Sequence, residues 1–130
     1  MQDRPSVDEL LEAVAGFLHD DVMPNTSGRL SFHARVSGNV LQWLRRELAM
    51  QEEHLEREWA GLDQLLGPEP RPAHLAPAFE RLTARNEALA VRIRAGEADA
   101  APVRPALFEH LRVVTRDKLA VTNPGLLEQA

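Results

Sequence analysis

Apolar residues return every three or four positions along almost the whole chain, and nowhere do they alternate over the length of a strand. That period builds helices and excludes a sheet. Ser6-Val7-Asp8-Glu9, just after Pro5, spells a capping box, with Ser6 capping the helix and Glu9 reaching back to it. Val7, Leu10, Leu11, Val14, Phe17, Leu18 and Val22 then fall within an arc of about 140°, and this first helix, of about four turns, ends near Met23-Pro24-Asn25. The second helix runs from about Arg29 to at least Leu48 with a much wider apolar arc. Leu30, Ala34, Val40, Leu41, Leu44 and Leu48 form one stripe, with Phe32, Val36 and Trp43 beside it. Such a helix sits in the middle of a bundle or has a partner on one flank.

The third segment, Gln51 to Leu66, carries Leu55, Trp59, Leu62 and Leu66 at steps of four, three and four. No glycine or proline marks a joint near Met50, so one helix or two remain open at this point. Gly67-Pro68 stops the pattern, and Gly67 to Ala73 reads as a loop. Leu75, Phe79, Leu82, Asn86, Leu89 and Ile93 trace a heptad seam on a helix ending near Ala95. The last helix covers about Ala106 to Val121 and is closed by Asn123-Pro124. The expectation is one all-α domain over 1–130, a bundle of four or five helices. Its ordered core is about 6–122, and a flexible tail follows.

Folding a chain of 130 residues buries about two-thirds of its surface, enough for a core without metal or disulfide staples. The chain has no cysteine, no apolar run of membrane-spanning length, and an opening Met1-Gln2-Asp3-Arg4-Pro5 unlike a signal peptide. A cytoplasmic protein with no membrane partner is expected. A net charge of −5 argues against a nucleic-acid partner. All basic residues but one are arginine, so a Schiff-base or phosphate-loop mechanism would have to use Lys118.

No catalytic, metal or cofactor-binding constellation is legible. The five histidines, His19, His33, His54, His74 and His110, lack ligand spacing, and four of them fall on polar faces and read as solvated. Neither a phosphate loop, a dinucleotide fingerprint nor a nucleophile elbow is present. Four polar features stand out. His33 lies in the apolar stripe of the second helix and is expected to be internal and hydrogen-bonded, with an interface role as the other reading. Asn86 on the heptad seam reads as a register-fixing tie. Arg81, Arg85 and Arg92 share one helix side, either solvated or gripping an anion. Arg116-Asp117-Lys118 crowds charge near a helix C-terminus, where the dipole favours cations.

Four ordered strings carry a resemblance. They are Asp3-Arg4-Pro5 with Glu9-Leu10-Leu11-Glu12-Ala13-Val14; Phe32-His33-Ala34-Arg35-Val36 with Asn39 and Arg46-Glu47-Leu48; Asn86-Glu87 with Arg92-Ile93-Arg94-Ala95-Gly96-Glu97; and Arg116-Asp117-Lys118-Leu119-Ala120-Val121 with Asn123-Pro124. Together they resemble a bacterial family of short helical proteins classed as a domain of unknown function. Its members are typically encoded beside an aminoglycoside-phosphotransferase-like kinase and an acyl-CoA dehydrogenase. One branch is similar to the small companion subunit of a kinase that phosphorylates 4-hydroxyacyl-CoA. Residues 51–78 carry no such string.

The resemblance implies a non-catalytic subunit or stabilising partner of that kinase, in short-chain hydroxy and keto acid catabolism. It brings no catalytic residue with it. Arg4, His33, Arg35, Asn39, Asn86, Arg92, Arg116, Asp117, Lys118 and Asn123 become candidates for partner contact or internal polar ties. Phe32, Val36 and Trp43 form the candidate docking face. The alternatives are a stand-alone bundle binding an acyl or CoA ligand, and a homodimeric protein of unknown role, a homo-oligomer with no other partner.

Overall fold

The computed structural model describes residues 3–128. The expectations touching Met1, Gln2 and the last two residues of the tail lie outside them. The protein is all-α, with no strand among the described residues. Its helices are α1 (Val7–Gly16), α2 (Gly28–Leu66), α3 (Leu75–Arg94) and α4 (Val103–Thr122). A π-helical turn, Phe17–Val22, extends α1, and short 3-10 turns occupy Glu97–Asp99 and Pro124–Leu126.

The second and third expected helices are one helix of 39 residues. The stretch around Met50 is built almost wholly of Leu, Arg, Glu, Ala, Met and Gln, all strong helix formers, so nothing local breaks it. The last helix starts at Val103, three residues before its expected start at Ala106. Pro105 is tolerated there because first-turn N–H groups have no intrahelical acceptor anyway.

Internal packing divides the chain at Met50 into two compact units, each holding part of α2. In the first, α1 and the opening half of α2 form an antiparallel hairpin. Asp8 pairs with Arg45, the His19 ring lies against Gly38, and Ser31 Oγ donates to the Met23 carbonyl at 3.0 Å. The capping box is formed as the sequence spells it: Glu9 N–H donates to Ser6 Oγ at 3.2 Å, and Ser6 N–H to Glu9 Oε2 at 2.7 Å.

The second unit holds the core. Leu55, Trp59, Leu62 and Leu65 of α2 pack with Ala78, Leu82 and Leu89 of α3, Ala98 of the 3-10 turn Glu97–Asp99 and Leu107 of α4. Leu62 is wholly enclosed. Gly67, at φ 99°, ends α2 in the left-handed conformation.

Candidate functional site

The hairpin of the first unit has almost no interior. Among its described residues only Ala15, Ala34 and Gly38 are buried, all of them small. Eleven large apolar residues are exposed instead: Val7, Leu10, Val14 and Phe17 on α1 and its π turn, and Leu30, Phe32, Val36, Val40, Trp43, Leu44 and Leu48 on α2. A packed domain does the reverse.

Helical phase sorts these residues. On α2, the side turned to α1 carries Ala34, Gly38 and Arg45. Phe32, Val36, Val40 and Trp43 fall within about 80° on the opposite edge at 100° per residue. Leu30, Leu44 and Leu48 lie between the two. On α1, Val7, Leu10, Val14 and Phe17 make a strip about a quarter-turn before the contact stripe, followed from the N-terminus. Leu30, Leu44 and Leu48 precede their own contact stripe in the same sense. In an antiparallel pair both strips then fall on one broad side of the hairpin. Two uncovered apolar surfaces result: that broad side and the outer edge of α2.

The polar floor between the helices is ionic. Arg45 donates from Nε and Nη2 to the two carboxylate oxygens of Asp8 at 2.7 and 2.9 Å, and its Nη1 lies 3.3 Å from Glu12. The hydrogen bonds from Arg45 hold the Asp8 carboxyl below the usual carboxylate range and raise the guanidinium above its own.

Histidine placement departs from the expectation. His33 is exposed, accepting at Nε2 from Arg29 Nε at 3.2 Å, because α1 covers the other side of this wide-faced helix. Nor are the remaining histidines uniformly solvated. His110 is buried in α4 against Gly61, and His19 is half-buried against Gly38. His54 Nε2 lies 3.8 Å from Asp117 Oδ1. The two glycines are the missing signal: each leaves a ring-sized seat on α2 that spacing along one helix does not reveal.

Of the other expected residues, Asn86 donates through Nδ2 to Glu58 Oε1 at 2.6 Å, tying α3 to α2 as a seam asparagine does. Asp117 accepts both Arg57 Nε at 3.0 Å and Nη2 at 2.8 Å, which ties α4 to α2. Its neighbours Arg116 and Lys118 are exposed. Arg4 lies 3.9 Å from Glu9, Arg35 stacks on Phe32 with 5.6 Å to the ring centroid, and Asn39 is exposed. Asn123 closes α4, donating its N–H to the Leu119 carbonyl at 2.8 Å.

The arginines of α3 are structural. Arg85 is buried, 2.8 Å from Asp63, with Nη2 donating to the Gly67 carbonyl at 3.0 Å and the guanidinium 4.8 Å from the Trp59 ring centroid. Arg92 donates to Glu97 and, through Nη1, to the Leu65 carbonyl at 3.0 Å. Arg81 is bound to Glu69, whose carboxyl it holds low. Arg85 and Arg92 thus meet carbonyls at the C-terminal end of α2, where the helix dipole favours cations. None of the three arginines is left to form an anion grip.

Among the described residues, no cluster of three or more His, Asp or Glu is placed to hold a metal, and no helix is long and apolar enough to cross a membrane. An open groove of about 710 Å³ runs along α4, lined by Phe108, Leu111, Leu119 and Leu127 together with Arg112 and Arg116.

No curated protein and no solved structure matches the chain. One family model does, over residues 24–126, more than three quarters of its length. Its span takes in the outer edge of α2 and the whole core of the second unit, and the chain therefore belongs to the DUF6285 family, a domain of unknown function.

Proposed function

We propose that this protein is a non-catalytic companion subunit of an aminoglycoside-phosphotransferase-like kinase acting on hydroxyacyl-CoA, and that the kinase docks on the broad apolar side of the hairpin. The observation that carries the reading is the inverted burial of the first unit. The seven large residues of that broad side, each 46–63% exposed, leave on the order of 600 Å² of apolar surface in water. The largest patch on a typical monomer is about 300–600 Å², whereas a stable complex covers about 800 Å² per partner. The class of the partner comes from the four ordered strings, whose resemblance is to a kinase companion. Val7, Leu10, Val14, Phe17, Leu30, Leu44 and Leu48 make the contact.

Co-expression with such a kinase encoded nearby, with a tag on only one chain, tests this. The two co-purify, the kinase loses activity or solubility without its companion, and Val14→Asp or Leu44→Asp breaks the complex. A kinase equally active and stable alone, with no complex at about micromolar concentration, defeats the reading. The α4 groove favours a second one, a bundle that binds an acyl-CoA with the acyl chain on Phe108 and Leu111 and an anionic group at Arg112 or Arg116. Calorimetric titration with acyl-CoA, repeated on Leu111→Asp, separates the two.

A further inference from the structure

The outer edge of α2 carries a second pattern. Arg29, His33, Val36, Val40, Trp43 and Glu47 follow one another at steps of four, three, four, three and four. This heptad seam reads the same in spacing from either end, with its centre at residue 38. All six residues are exposed. Reversing the helix about that centre brings Val36 opposite Val40, His33 opposite Trp43, and Arg29 opposite Glu47. Among the described residues neither Arg29 nor Glu47 has an ion pair within its own chain.

We propose that α2 pairs with α2 of a second copy, antiparallel and about a two-fold axis at residue 38, with Val36 and Val40 at the centre and an Arg29–Glu47 ion pair at each end. Isologous contacts require a surface complementary to itself, and this seam is so in spacing, apolar character and charge. The area suffices. Phe32, Val36, Val40 and Trp43 are each 40–53% exposed. Covering them removes on the order of 300 Å² of apolar surface per copy, or about 600 Å² for the pair. Arg29, His33 and Glu47 carry the total past the ~1,000 Å² that a specific interface needs. Phe32, Val36 and Trp43 are thereby assigned to a second copy, and the broad side of the hairpin stays free for the kinase. This interface does not rest on the kinase reading.

The register makes the test sharp. Sedimentation equilibrium of the full chain gives a dimer at about 10 μM. Arg29→Glu and Glu47→Arg each place like charges opposite one another at both ends, and each weakens the dimer about tenfold or more. The double variant R29E/E47R restores opposite charges and returns the affinity to within about threefold of the parent. Circular dichroism of each variant checks that the helices are kept. The chain has no cysteine of its own, so a mixture of Val36→Cys and Val40→Cys chains forms one cross-chain disulfide at the centre under oxidation. A monomer at all concentrations to about 100 μM overturns the proposal. So does a dimer indifferent to the charge changes, a double variant no better than the singles, or failure of the cysteine pair to cross-link. Kinase binding lost in R29E also overturns it, because it seats the kinase on this seam. Absence of any kinase complex, with the dimer intact, defeats only the companion reading.

Discussion

The imidazole of His110 rests on Gly61, so closely that a methyl group on the glycine Cα would overlap the ring. Gly61 lies inside α2, where glycine is worth about 1 kcal/mol less than alanine. The contact explains why it is there: α4 can lay a buried ring on α2 only where α2 has no side chain.

Gly61→Ala therefore destabilises the protein despite the better helix former, by about 1–3 kcal/mol, as overpacked sites do. His110→Ala empties the seat, and adding Gly61→Ala to that background is neutral or stabilising. Urea denaturation of the four proteins measures the coupling. A Gly61→Ala single variant as stable as the parent would show that the ring moves aside freely.

Burial also sets a pH dependence. It holds the His110 imidazole below its ordinary value of about 6.5, with Glu58 opposing in part. The unfolded chain thus binds the proton more tightly than the folded one. Stability from this group is complete above about pH 6.5 and is lost as the pH falls from there through the folded pKa. Melting temperatures measured between pH 7.5 and 5 should fall in the parent, and fall less in His110→Gln. Equal slopes in both would place the titration elsewhere.

Arg85 joins three groups at the end of α2: Asp63, the Gly67 carbonyl and the face of Trp59. Arg85→Ala should cost about 2–4 kcal/mol, since a buried guanidinium removed from its partners leaves them unpaired and takes the cation off the ring. Trp59 emission should shift at the same time. Arg85→Lys recovers little, because an ammonium cannot both stack flat and reach two acceptors. Full recovery by lysine would reduce the role to charge alone.

The first unit, with three small buried residues, should be the weaker half in isolation. Amides of α1 should exchange through local opening well before those of residues 51–66 in α2, and become protected when the kinase partner is added. Uniform protection across both units in dilute protein would show that the hairpin needs no cover.

Helices were legible because their evidence is local. Ser6 and Glu9 are three residues apart, the heptad of α3 lies on one element, and Gly67 stops α2 by its own backbone freedom. The apolar character of Phe32, Val36 and Trp43 was legible in the same way. They were also the candidate docking face, and the structure leaves all three exposed; which of the remaining stripe α1 would cover was not legible, because an apolar arc this wide does not single out one side. The same ambiguity put His33 inside and His110 outside, where the fold does the opposite.

Sequence by itself therefore determined the elements, their caps and their apolar surfaces, because propensity, capping and periodicity act over a few residues. Tertiary structure alone decided which of those surfaces are buried. Burial is a property of pairs of helices: Gly61 becomes a seat only when α4 brings His110 to it, and Asp117 a tie only when Arg57 faces it.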